Sequence, residues 1–354
     1  LLSMGRHEEA LKILHGGTVI PAIPLVLDEN RKFNEAGQRT LIRYYLDAGV
    51  GGLAVAVHPT QFEIRKPEVG LFEPVLRVTK EEMDAYEART GKTLVRVAGA
   101  CGEAEQACAE ARTAKALGFD AVLLSPGGLA HRTEEELVER THAVAAEMPV
   151  IGFYLQTACG GRRLSYEYWK AVADTPGVVA IKCASFNRYQ SIVRGVAYSA
   201  RREEIALYTG NDDNIVADLL TPYRFPVDGK EVELRFVGGL LGHWSVWTHS
   251  VVKLYEELRE YRDGRDIPAE LLARGAAVTD CNGVFFDVAH NFAGCIPGVH
   301  EVLRRQGLMA GTWCLDPDET LSEGQEQEID RVYEMYPHLN DDAFVALNLK
   351  DWMA

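Results

Sequence analysis

The sequence predicts an α/β fold: a (β/α)8 TIM barrel followed by a helical appendage. Three observations lead there. Short apolar runs of Val, Ile, Leu and Ala recur down the chain, as strands buried on both faces should. Charge-bearing helical stretches separate them at a spacing of roughly 30 residues, the βα rhythm of a parallel sheet. An open doubly wound sheet would want a Gly-x-Gly-x-x-Gly turn after an early strand; none occurs, which favours closure into a barrel.

The elements follow in order. Residues 1–15 form an amphipathic, charged segment without the uninterrupted apolar core of a signal peptide. Val19 to Leu25 is the first strand, Gly51 to Val57 the second, and Thr93 to Gly99 the third. Ala121 to Ser125, Pro149 to Leu155, Val178 to Lys182, Ile205 to Thr209 and Phe236 to Leu240 complete the set. Between them lie helices such as Glu35–Ala48, Glu103–Leu117 and Thr133–Glu147, the last opened by a Thr133/Glu136 capping box. Asp228-Gly229 between two β-prone runs signals a hairpin, read as an insertion over 223–235. The barrel is placed at residues 1–264. Residues 265–354 read as three or four helices, broken at Gly294, Pro297-Gly298 and Gly311 and packed outside the barrel.

Composition narrows the function. A net charge of −15 argues against nucleic acid, which needs a basic face. Seven scattered cysteines without a CxxC pair read as reduced thiols in a cytoplasmic protein. No apolar window reaches the length of a membrane span. Neither HxH at a strand end nor HExxH occurs, so neither metal nor cofactor is predicted.

The chemistry sits at the strand ends. Val178-Val179-Ala180-Ile181 is apolar throughout and runs into Lys182. At the carboxyl end of a barrel strand this ammonium points into the mouth, where desolvation lowers its pKa and favours the nucleophilic amine. That is the state that forms a Schiff base with a carbonyl. The bland alternative is a lysine snorkelling from a strand end. Tyr154 ends the preceding strand, where a phenol can exchange protons with the carbinolamine; otherwise it is a core aromatic with a satisfied hydroxyl. Cys183, next to Lys182, points the other way by strand alternation.

A Tyr ending strand five, Ile181-Lys182 ending strand six and a helical tail together resemble the dihydrodipicolinate synthase / N-acetylneuraminate lyase family of class I aldolase barrels. The likeness runs from about Thr18 to about Pro337. It includes Val97-Ala98-Gly99-Ala100, the run Phe119 to Pro126, Gly210-Asn211-Asp212 and the Gly-x-x-Gly-x-x-Ser of Gly239 to Ser245. The resemblance implies a lyase that holds pyruvate or a related 2-oxo acid on Lys182 and makes or breaks the adjacent carbon–carbon bond. It implies an aldehyde as a possible second substrate, and a homodimer or homotetramer. A dehydratase of a 2-oxo-3-deoxy sugar acid, through the same imine, remains open. So does a barrel that binds a 2-oxo acid without turnover.

This chain departs from the family pattern after strand two. Gly-Thr-Thr-Gly-Glu is replaced by His58-Pro59-Thr60-Gln61-Phe62. Thr60, helped by the Gln61 amide, takes the carboxylate-binding role, while Pro59 has neither hydroxyl nor N–H. Shifting the alignment by one residue restores a threonine at the relay position and removes it from the other. Pro126-Gly127-Gly128 lacks the tyrosine that condensing enzymes carry after strand four. Arg162 is placed where those enzymes hold a second carboxylate. Gly210 and Asn211 are expected to face the second substrate. His58 and His243 stand at strand ends as replacement proton carriers, and Trp244 and Trp247 as walls of the mouth. Each has an ordinary alternative: a solvated loop for Arg162, packed structural roles for the rest.

Overall fold

The computed structural model describes residues 4–189, 203–263 and 266–354. Eight parallel strands form one sheet: β1 (Val19–Pro21), β2 (Gly52–Val55), β3 (Val95–Ala100), β4 (Ala121–Leu124), β5 (Val150–Leu155), β6 (Val178–Ala184), β7 (Ala206–Thr209) and, after the hairpin strands β8 (Tyr223–Val227) and β9 (Lys230–Leu234), β10 (Phe236–Leu241). Their order is β1-β10-β7-β6-β5-β4-β3-β2. A parallel bridge between Ala22 and Ala54, with the Ile23 N–H donating to the Ala54 carbonyl at 2.9 Å, joins the two edges and closes the barrel.

Alternation along each strand sorts side chains into two apolar layers. Ile20, Val97, Leu123, Phe153, Ala180 and Tyr208 fill the interior. Tyr154, Ile181, Cys183 and Leu207 face outward, against the surrounding helices. The helix Arg6–Gly16 immediately precedes β1 and plugs the amino end; Leu14 packs in the interior layer, and its carbonyl accepts from the Tyr208 hydroxyl at 2.6 Å. The carboxyl end is left as the mouth.

Two local readings have their causes on view. Thr133 caps the helix Glu134–Ala145, accepting from the Glu136 N–H while the Glu136 carboxylate accepts from the Thr133 N–H. Asp228 and Gly229 both take positive φ, 50° and 78°, as a two-residue hairpin turn requires.

The tail departs from expectation. Its last helix, Asp342–Met353, lies outside the barrel against the helix Glu35–Asp47. An earlier part lies over the mouth instead, where Phe286, Phe292, Ile296 and Val299 line the same cavity as Lys182. Pro297-Gly298 does not break a helix; it forms the first turn of Cys295–Arg305, where proline costs no hydrogen bond. Gly298 is required there: a Cβ would come within 2.0 Å of the Phe285 carbonyl oxygen. The boundary placed between residues 264 and 265 falls outside the described residues.

Candidate active site at the barrel mouth

Lys182 shares its face of β6 with Ala180 and Ala184 and points into the barrel. Its Nζ lies 4.4 Å from the centroid of the Phe153 ring, a cation–π distance. Gly210, at the end of β7, makes room for it: a Cβ there would stand 2.5 Å from Lys182 Cε and 2.7 Å from Ala184 Cβ. The cavity above measures about 80 Å³, several times the roughly 10–15 Å³ that one water needs. Burial pushes the lysine below its usual range, and Asp212 partly opposes this.

Asp212 lines the cavity on the loop after β7. Its carboxylate accepts from the His243 N–H at 3.2 Å, and its backbone carbonyl accepts from Asn282 Nδ2 at 2.8 Å, which ties the loop to the tail. Burial raises its pKa, and Lys182 pulls the other way. Ammonium and carboxyl are thus pushed toward one another, which makes the neutral amine and neutral acid accessible together. His58 also lines the cavity and is held neutral, pushed down to about 4 by burial and by Lys182.

Most of the other sequence-selected residues lie elsewhere. Tyr154 faces out of the barrel. Its hydroxyl donates to the Leu164 carbonyl (3.2 Å) and accepts from the Leu164 N–H (3.1 Å), and its ring packs on Trp169. The cause is one residue of register: Val150 pairs with Val178, but Ile151 pairs with Ala180, so Val179 is bulged out. Without that irregularity Tyr154 would pair with Lys182; with it Phe153 does. Thr60 turns away as well. In the 3-10 turn His58–Thr60 its hydroxyl donates to the Ile23 carbonyl at 2.7 Å and its N–H donates to the Val57 carbonyl. Gln61 Oε1 accepts from the Leu315 N–H at 2.7 Å and so secures the tail.

Arg162 donates to the Arg132 carbonyl, bracing two loops, and does not line the cavity. Asn211 also stays out of it; its amide bonds to Asp218 (2.9 Å) and to the Phe186 N–H (3.2 Å) and shapes the loop that carries Asp212. His243 stacks near Phe285 behind the mouth and is pushed down to about 3 by burial. Trp244 sits in the outer layer against Gly239 and Tyr255, and Trp247 packs between Phe285 and Tyr333. Of the chosen residues, Lys182, His58 and Gly210 meet at the cavity.

Phe153, Asp212, Cys159 and the tail's Phe292, Cys295 and His300 also line it. Asp212 had a signal, since it follows Gly210-Asn211 at a strand end. The tail residues had none, because nothing local in a helix says which cavity it covers. Among the described residues, no group of three or more His, Cys, Asp or Glu could hold a metal ion.

A family model described as the dihydrodipicolinate synthetase family matches residues 16–222. The chain belongs to that family. A curated relative from Rhizobium meliloti, an uncharacterized DapA-like lyase, is 28% identical over 193 residues, 54% of this chain and 60% of the relative. The 4-hydroxy-tetrahydrodipicolinate synthase of Staphylococcus haemolyticus is 28% identical over 183 residues, 49% of this chain and 56% of the relative. The match therefore spans less than two thirds of either relative. Among solved structures, N-acetylneuraminate lyase from Fusobacterium nucleatum superposes with a TM-score of 0.70 at 14% identity, covering 91% of this chain and 99% of that one. Dihydrodipicolinate synthase from Oceanobacillus iheyensis gives 0.71 at 18%, covering 94% and 100%. These likenesses are of fold. In this family member the ring that faces Lys182 is that of Phe153, and the phenol of Tyr154 turns outward. Among the described residues, no helix is long and apolar enough to cross a membrane.

Proposed function

We propose that this family member is a Schiff-base lyase in which Lys182 captures the carbonyl of a small 2-oxo acid. The observation that carries the reading is a buried amine at the floor of a barrel-mouth cavity, with the carboxyl of Asp212 lining the same space. The neutral amine attacks the carbonyl carbon, and a proton passes from its nitrogen to the carbonyl oxygen to give a carbinolamine. Asp212 in its acid form donates the proton that lets this oxygen leave as water, giving the iminium. Phe153 faces that cation with its ring and stabilises it without exchanging protons. The iminium then draws electrons from the neighbouring carbon, and Asp212 or His58 takes the released proton.

Thr60, Gln61 and Arg162 do not supply the carboxylate site. A charge-assisted hydrogen bond is worth about 1.5–3 kcal/mol, so capture of pyruvate is expected to be weaker by about 10- to 100-fold per missing donor. Phe153 in place of a phenol favours one competing reading, binding without turnover. The discriminating experiment follows exchange of the pyruvate methyl hydrogens in D2O by NMR. The lyase reading expects catalysed exchange in the wild type and a large loss in Asp212→Asn. Capture of pyruvate without any exchange would favour a binding protein.

A further inference from the structure

His300 belongs to the tail helix Cys295–Arg305 yet lines the cavity of Lys182. The residue is 1% exposed. Its Nδ1 lies 3.2 Å from the Thr312 carbonyl oxygen. A carbonyl can only accept, so Nδ1 carries the hydrogen and the neutral ring presents Nε2 as a bare acceptor. Nε2 has no hydrogen-bond partner. A buried acceptor left in that state costs stability, and a bound hydroxyl that donates to it removes the cost. The tail residues beside it on the cavity wall, Phe286, Phe292, Ile296 and Val299, are apolar, and the donors that also line the cavity, among them Gln156, Cys159, Lys182 and Cys295, do not bond to Nε2. Burial also keeps the ring neutral, with its pKa pushed down to about 4, so at neutral pH it recognises a donor and does not attract an anion.

We propose that His300 is a specificity-determining residue whose Nε2 accepts a hydrogen bond from a hydroxyl on the carbonyl compound that Lys182 holds. The substrate class is then a hydroxylated carbonyl compound, selected in part from the tail. This rests on Lys182 as the capturing amine, and the tail adds an acceptor to those that His58, Gln156 and Asp212 offer from the barrel. Thr312 acts through His300, as the group that fixes its tautomer.

The test uses three matched probes, 2-oxobutanoate and its 3-hydroxy and 4-hydroxy counterparts, trapped on the full chain with borohydride and mapped to the labelled lysine. Wild type, His300→Phe and His300→Gln are compared by the probe concentration that gives half-maximal labelling of Lys182. At least one hydroxylated probe is expected to half-saturate the wild type at about 10-fold lower concentration than the parent. His300→Phe removes that preference, read within each variant as the ratio of half-saturating concentrations for parent and hydroxylated probe, and His300→Gln, which keeps an acceptor oxygen, retains part of it. Labelling of Lys182 without preference in the wild type, or with the same preference in His300→Phe, overturns this inference alone. No labelling of Lys182 by any probe overturns the lysine reading and this inference with it. A measurement independent of folding variants is the 15N signal of His300 in the wild type: an unprotonated Nε2 at neutral pH is expected, and a protonated one overturns the proposal.

Discussion

Replacing Gly210 by alanine tests the packing that admits Lys182. The new Cβ would meet Lys182 Cε at 2.5 Å and Ala184 Cβ at 2.7 Å. Carbon atoms settle near 3.5–4.0 Å, so Cε must retreat by about 1 Å. The lysine chain can do this by leaving its seat over Phe153. Ala184 is fixed to the backbone of β6 and cannot, so the loop carrying Asp212 must shift too. Overpacking of this kind costs about 1–3 kcal/mol, which a chain of this size registers as a thermal midpoint lower by a few degrees. Gly210 does not take a positive φ, so the loss comes from contact and not from backbone strain. The assay pairs calorimetry with the rate at which borohydride traps a 2-oxo acid on the protein. Gly210→Ala should melt lower and trap at least tenfold more slowly, and Lys182→Ala in the same background should recover part of the stability by removing Cε and Cγ. Trapping at the wild-type rate by Gly210→Ala would refute this account of how the lysine is housed.

Two further outcomes follow. Tyr154→Phe should lose about 1–3 kcal/mol by leaving the buried Leu164 N–H and carbonyl without their partner, while trapping on Lys182 stays near wild type; slower trapping at unchanged stability in urea would restore Tyr154 to the site. His58, His243 and His300 are held neutral at about 4, 3 and 4 by burial, below the ordinary 6.5, so on acidification the unfolded chain binds protons first. Stability should therefore be level with respect to these groups above about pH 6.5 and fall progressively toward about pH 4, and replacing His300 by Phe should flatten part of that fall in urea titrations.

The barrel was legible because its signal is repeated: apolar runs at βα spacing, a capping box at Thr133 and an Asp-Gly turn at 228–229 each report locally on what the chain does there. Lys182 was legible for the same reason, as one charge ending an apolar strand. Tyr154 was misread because strand parity depends on register, and a single bulged residue, Val179, exchanges the inward and outward sets between β5 and β6. Sequence spacing alone carries no mark of that bulge. Thr60 was misread because the tight turn at His58–Thr60 aims its hydroxyl back at Ile23, a tertiary partner 37 positions away. The part of the tail over the mouth was invisible for a different reason. Residues 286–300 read as tail helices broken at Gly294 and Pro297-Gly298, and their place over the mouth is fixed by distant contacts such as Asn282 with Asp212 and Gln61 with Leu315.

The central claim is that Lys182 is the amine that captures substrate. Borohydride added with a 2-oxo acid, followed by intact mass and peptide mapping, tests it most directly. The account predicts one stable adduct, on Lys182, that disappears in Lys182→Met while that variant remains folded. An adduct on another lysine, or one that persists in Lys182→Met, would contradict it.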